Sequence, residues 1–426
     1  MTIFWIIIYN IFVVPLAFIG MQVLVLFNAK IKRGITGRKV SWHHLKRFRH
    51  KYPGKEVFLI HSASLGEFEQ AKPVIRGLKA IRSDVMIVAS FTSPSGFEHA
   101  QKMSEVDLMI YLPFDTYFRT RRFIQILKPQ KIIFVTYELW PNLIVNAKRF
   151  HVPSYLMSAR IRQNSSKFYP VVRGFFKELY RSLDYIFAIS EKDKESVNKL
   201  IGSVQIKVLN LGDTRYDQVI ERARSRMMAR MPQVFEKSFV FIVGSIWPQD
   251  AKHLMPVIRK IHKQYPQSRC IIAPHEPNEF ALESFEDQLK GNGISTCRYT
   301  QVKQFPVNET IVLIDKIGIL AELYHQTNLA FVGGGFRGSV HNVMEPAVAG
   351  IPVIFGPDYH NSREAELLVK AGGGFTCADE SSLYLLISKL MDNETFYRQA
   401  SQAARRVILD NMGASARTVK EILEND

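Results

Sequence analysis

The sequence predicts an α/β protein with two parallel-sheet domains, preceded by an apolar membrane-anchor helix. Three observations carry this. The chain has 426 residues, 47% hydrophobic and 12% aromatic, enough for two packed cores of ordinary size. In both halves short apolar runs, ended by Gly-, Ser- or Thr-rich turns, alternate with helical stretches, the pattern of parallel sheets. Residues 3–27 contain no charge at all.

At ~1.5 Å per residue, a helix over residues 3–27 reaches about 37 Å, against a hydrocarbon core of ~30 Å. Asn10, Pro15 and Gln22 interrupt it, so spanning with tilt and lying at the interface both stay open. All of its flanking positive charge comes after it, the reverse of a signal peptide, and we read an uncleaved anchor. Residues 30–55 hold ten Lys or Arg and no acid, which by the positive-inside rule puts everything after the anchor in the cytoplasm. Removing those ten from the formal charge of +17 leaves about +7, so much of the basicity is juxtamembrane and suits anionic lipid. No recognition helix, zinc finger or aromatic RNA-binding motif accompanies it, which argues against nucleic acid. Cys270, Cys297 and Cys377 are too few and too scattered for a disulfide framework or a zinc site.

In the first half, the run EVFLI (56–60) delivers the chain into HSASLGE (61–67), and a helix follows over 65–80. Glu67 lies just past a strand's carboxyl end, where open α/β sheets present ligands, so it can act as a general base. Ser64 and Glu67 also fit a capping box, which needs no function. The strand VMIVASF (85–91) ends in TSPSG (92–96), whose Thr92 and Ser93 suit a helix cap or an anion-binding turn. A strand KIIFV (131–135) ends in TYELWPN (136–142), putting Glu138 at another carboxyl end. Two carboxylates on adjacent loops can divide proton abstraction from orientation or charge stabilisation. Further strands are expected at 108–113, 185–189 and 208–211, the last entering GDTRYD (212–217), and 154–162 reads as strand then loop. There Arg215 is either a cation for a leaving phosphate or the partner of Asp217 in a surface ion pair.

A charged stretch at 218–236 marks the domain crossing. Strands come next at 239–243, 269–273, 310–314, 329–332 and 351–355. FVGGGFRGSVHNVMEPAVAGIPVIFGP (331–357) reads as strand, glycine loop, helix start and strand, a shape that exposes amides to an anion. Glu345, in the first helical turn, can accept hydrogen bonds from a ribose or simply favour the helix dipole. The tail helices, 381–423, are expected to pack on the first domain.

HSASLGE, TYELWPN, GDTRYD and above all HNVMEPAVAGIPVIFGP resemble the signatures of the Kdo transferases, which add 3-deoxy-manno-octulosonic acid to lipid A precursors. The resemblance runs from His61 through most of the chain. It implies the GT-B fold, two Rossmann-like domains facing a cleft, with an anchor at 1–29, an acceptor domain at 30–220 and a nucleotide-sugar domain at 221–426. It implies transfer of Kdo from CMP-Kdo to the glucosamine disaccharide lipid A precursor, with inversion, at the cytoplasmic face of a bacterial inner membrane. Glu67 would be the base, with Glu138 and Arg215 assisting. Pro274, His275, Ile317, Gly318, Ile319, Gly334, Gly335, Asn342, Val343, Met344 and Glu345 would hold the donor, and Ser64, Thr92 and Ser93 the acceptor. No cofactor or metal is expected, since the donor carries a single phosphate. Ser158, Arg215, His275 and Ile319 depart from the family's asparagine, lysine, arginine and glutamate. A GT-B enzyme using a UDP-sugar, or a non-catalytic lipid-binding protein, would share parts of this pattern.

Overall fold

A computed structural model describes residues 3–425, apart from 101–102, 163, 204–205, 229–230, 237 and 291–293. Contacts divide the chain into two compact units, residues 1–218 with 412–426, and residues 219–411.

The first unit is built on seven strands: β1 (Val57–Ser62), β2 (Met86–Phe91), β3 (Leu108–Tyr111), β4 (Lys131–Val135), β5 (Ser154–Ala159), β6 (Tyr185–Ala188) and β7 (Lys207–Asn210). Their order is β3-β2-β1-β4-β5-β6-β7, and every pairing is parallel. All six residues of β1 are buried, as a strand covered by helices on both faces must be. The second unit repeats the plan with β8 (Val240–Ile246), β9 (Arg269–Pro274), β10 (Thr296–Arg298), β11 (Ile311–Leu313), β12 (Leu329–Val332), β13 (Val353–Phe355) and β14 (Gly374–Thr376). Its order is β10-β11-β9-β8-β12-β13-β14, again all parallel.

Both orders reverse direction once, between β1 and β4 and between β8 and β12. In open α/β sheets the crevice for a ligand opens at such a reversal, outside the strands' carboxyl ends. Glu67 and Glu138 come after β1 and β4, while Trp247 and the triple glycine come after β8 and β12. The sequence motifs therefore stand where this topology makes room.

Three sequence expectations change. The basic stretch, given no secondary structure by sequence, is one helix, Ala29–Lys51. Its Ser41, Leu45 and Phe48 are buried, and Arg38 donates to the carbonyls of Leu112 and Thr92 at 3.0 and 2.9 Å. The tail divides: Glu380–Asp392 and Glu394–Asp410 pack in the second unit's core, and only Ala414–Glu424 returns to the first. Residues 412–426 thus leave the domain assigned to them by sequence. Val419 and Ile422 fill the first unit's core, and buried Lys131 donates to the carbonyls of Ile422 and Asn425 at 2.6 and 3.0 Å. Asp217, a candidate partner for Arg215 by sequence, instead accepts the amides of Gly413 and Ser415, both at 2.6 Å.

Candidate active site

In the first unit the chemistry gathers at the β1–β4 reversal. Ser64 caps the helix Leu65–Ile81, accepting the Glu67 amide at 3.4 Å, and Glu67 returns the bond by accepting the amides of Ala63 and Ser64. Both of those bonds fall on Oε2. Cap and base are therefore compatible: Oε2 holds the helix start and Oε1 can take a proton. Burial pushes the Glu67 carboxyl up to about 7, the Ala63 amide pulls it back, the charge of Glu138 raises it again and the Ser64 amide opposes. A carboxylate poised near neutrality is what general base work at cellular pH needs.

Behind Glu138 lies His61, a residue that sequence reading left without a role. His61, wholly buried in β1, stands in register with Ser90 of β2 and Phe134 of β4. Trp140 Nε1 donates to His61 Nε2 at 2.9 Å, and since indole only donates, the proton of the ring is on Nδ1, facing Ser90 Oγ at 3.0 Å. Thr92 Oγ1 is 3.3 Å from His61 Nε2 and donates to Glu138 Oε2 at 3.4 Å. Ser93 joins the same corner through its amide, bonded to the Ala63 carbonyl at 3.3 Å. A histidine following directly on the apolar run Val57–Ile60 was the available signal for His61. Thr136, which opens the Glu138 loop, and Ser158 both have left-handed φ, of 68° and 52°. Ser158 thus occupies a conformation that the family's asparagine adopts more readily.

Arg215 pairs with Asp213, its Nη2 2.6 Å from Oδ2, rather than with Asp217. The neighbouring Thr214 hydroxyl donates to the Gln70 carbonyl at 2.8 Å, which ties this turn to the helix one turn beyond Glu67.

In the second unit the glycine loop is not the bare phosphate cradle expected. Asp250 is fully buried, and its carboxylate accepts the amides of Trp247 (2.9 Å), Gly334 (2.8 Å) and Phe336 (3.3 Å). The Gly334 amide is therefore already taken by an internal anion. Glycine is required there for packing: a Cβ on Gly335 would lie 2.6 Å from the Gly356 nitrogen, and Gly334 has φ 94°. Gly335→Ala is expected to cost about 3 kcal/mol of second-unit stability, read by chemical denaturation.

Around that loop the aromatic rings of Trp247, His275 and His341 stack, with centroids 4.3 Å apart for the first pair and 4.4 Å for the second. Trp247 Nε1 donates to His341 Nε2 at 2.8 Å, and the Arg337 guanidinium lies 3.7 Å over the Trp247 ring. Burial holds the His341 imidazole below its ordinary range; His275 and Arg337 add to this and Asp250 opposes. A cation, an imidazole pair and an indole at one crevice suit an anionic nucleotide. A separate apolar pocket of about 430 Å³, lined by residues of the helices Pro248–Gln264 and Glu279–Leu289, shares Trp247 and Pro274 with this corner.

The remaining donor candidates fall into four kinds. Val343 and Met344 are buried, so only their backbones can serve. Asn342 Oδ1 caps the Met344 amide at 3.0 Å, and the helix there, Met344–Ala349, is only six residues long. Glu345 pairs with Arg222 at 3.2 Å, and a ribose would have to share it. Ile317 is 81% exposed beside Gly318 of φ 93°, while Ile319 begins the short helix Leu320–Leu323. Among the described residues no group of three or more His, Cys, Asp or Glu is placed to hold a metal ion.

Residues 41–218 match the family model described as 3-Deoxy-D-manno-octulosonic-acid transferase (kdotransferase). A protein of Aquifex aeolicus named 3-deoxy-D-manno-octulosonic acid transferase is 28% identical over 353 residues, 82% of this chain and 90% of that one. One of Rickettsia felis with the same name is 26% identical over 311 residues, 73% of this chain and 66% of its own length. Among solved structures, the UDP-GlcNAc 2-epimerase of Neisseria meningitidis bound to UDP-GlcNAc superposes with a TM-score of 0.62 at 15% identity, covering 87% of this chain and all of that one. That likeness speaks for the fold, two Rossmann-like units of the GT-B class. Family model, relatives and the motifs around Glu67, Glu138 and His341 agree, and the chain is similar along most of its length to the Kdo transferases, a family of glycosyltransferases.

Proposed function

We propose that this chain transfers Kdo from CMP-Kdo to a hydroxyl of the glucosamine disaccharide of a lipid A precursor, inverting the anomeric carbon, at the cytoplasmic surface of a bacterial inner membrane. The observation that carries this reading is Glu67: a buried carboxyl held near pH 7 at the reversal point of the first sheet, in a chain similar to this family.

Glu67 Oε1 removes the proton of the acceptor hydroxyl as its oxygen bonds to the anomeric carbon. The bond from that carbon to the phosphate oxygen breaks, and CMP leaves with the electron pair. Glu138 orients the acceptor, while its charge keeps Glu67 basic enough to take the proton. The second unit holds the nucleotide at Trp247, His275 and His341, where Arg337 supplies positive charge. Arg215, partly neutralised by Asp213, adds a cation for the departing phosphate.

The test is acceptor-dependent release of CMP from CMP-Kdo by the purified full-length chain, with CMP and UDP as competing inhibitors. Release that needs the lipid disaccharide and is inhibited by CMP well below the UDP concentration is the expected result. Preferential inhibition by UDP, or no turnover by folded protein, would overturn the donor assignment.

A further inference from the structure

The apolar helix does not stand clear of the protein. Ile3–Val25 forms 23 helical residues of mean hydropathy 2.3, with a π turn at Tyr9–Val13. Pro15 has no amide to offer the preceding turn, and the Val14 amide reaches back five residues to the Tyr9 carbonyl. Two polar side chains of this helix, Tyr9 and Asn10, face the first unit. Tyr9 donates to buried Asp115 at 3.0 Å, and the side-chain amides of Asn10 and Asn142 exchange bonds of 2.9 and 3.0 Å. Trp5 packs edge-on against Phe175, Tyr9 stacks on the same ring, and Phe18 meets Phe114.

Trp5 to Phe18 is about 20 Å of helix, so the unit lies alongside it rather than hanging from its end. A perpendicular span that leaves residues 30–55 in the cytoplasm would carry Trp5 and Tyr9 roughly 30 Å away, beyond the hydrocarbon. The unit cannot touch them there without entering the bilayer. We propose that this helix is an in-plane anchor, resting along the surface of an anionic leaflet with its polar side on the first unit and its outer side among the acyl chains. This placement rests on the proposed membrane location of the chain.

The outer side is apolar and open: Phe4, Ile7, Phe12, Leu16, Ile19 and Val23 are all 48% exposed or more. The surface continues onto the elements that hold the helix, where Phe118 and Val171, neighbours of the docking segments, are 77% and 85% exposed. Exposed Arg119, Arg122 and Arg173 stand on the same two helices, Tyr117–Leu127 and Pro170–Arg181, at the level suited to lipid phosphates. Asn142 lies four residues after Glu138, so the docked helix also ties the Glu138 loop to the membrane surface.

Two measurements on the full-length protein in bacterial membranes test this. Asn10→Cys with Asn142→Cys, in a Cys297→Ser background, is expected to form an intramolecular disulfide in most molecules on copper phenanthroline oxidation, and neither single variant should. Separately, an epitope fused ahead of Met1 is expected to be cut by protease in inverted vesicles and spared in right-side-out ones. Membrane-bound protein without the cross-link, its epitope cut only from the periplasmic side, would overturn the in-plane anchor while keeping the membrane. Ile7→Asp and Leu16→Asp are each expected to weaken binding to phosphatidylglycerol-containing vesicles by roughly tenfold or more. A wild type that ignores such vesicles would overturn the membrane reading itself.

Discussion

Glu67→Gln is expected to lower kcat by roughly 10²–10⁴-fold, the usual contribution of a general base, while the fold survives. Glutamine still offers an oxygen to the Ala63 and Ser64 amides, so the helix start keeps its cap. What it loses is the ability to take a proton. With the Glu67 carboxyl held at about 7, kcat of the wild type should rise with pH through neutrality as that group ionises, and the residual rate of Glu67→Gln should lack this limb. Glu138→Gln supplies the cross-check: the Glu138 charge disfavours ionisation of Glu67, so removing it should move the limb to lower pH. Stability runs the other way. A carboxyl whose folded pKa lies above its unfolded one favours the folded state most when protonated, and that advantage is lost as pH rises through about 7. Glu67→Gln should therefore melt at or above the wild-type temperature at pH 8. A variant with unchanged kcat and an unchanged pH limb would reduce Glu67 to a cap.

The strands that frame the site were legible because parallel strands buried on both faces are continuous apolar runs. β4 and β12 were read to the residue, and β1 to within two. The edge strands β10 and β14 escaped, being three residues each with little apolar content. The helix Ala29–Lys51 escaped for a different reason: its buried stripe of Ser41, Leu45 and Phe48 is thin, and ten basic residues between 30 and 55 hide it. Glu67 and Glu138 were legible from their place after strands. Contacts set by sheet register were not. His61 meets Ser90 only because β1 and β2 align those two positions, and nothing in either local sequence announces it. The return of residues 412–426 to the first unit likewise depends on long-range packing.

Asp250 is the clearest such case, and its removal should have the largest effect on stability. The sequence shows an acid early in a helix, and a triple glycine some eighty residues later, which reads as an open anion site. The structure joins them. Asp250 Oδ2 takes the amides of Trp247 and Gly334, and Oδ1 takes that of Phe336, so one buried carboxylate holds the loops after β8 and β12 together. Asp250→Ala leaves three amide donors without their charged acceptor in a closed setting. Bonds to a charged group contribute about 1.5–3 kcal/mol each and do not add fully, so a loss of about 3–5 kcal/mol is expected in the second unit. Asp250→Asn should fall between: its one oxygen can still serve Trp247 and Gly334, while its amide nitrogen faces the Phe336 donor. Urea denaturation that tracks the two units separately measures this, and CMP titration calorimetry reads the consequence for the site. Because Trp247 begins one held loop and His341 ends the other, CMP affinity should fall in the same order, wild type, Asp250→Asn, Asp250→Ala. Unchanged stability in the alanine variant would mean that the glycine loop holds its shape by backbone packing alone. Its amides would then be available to the donor phosphate after all.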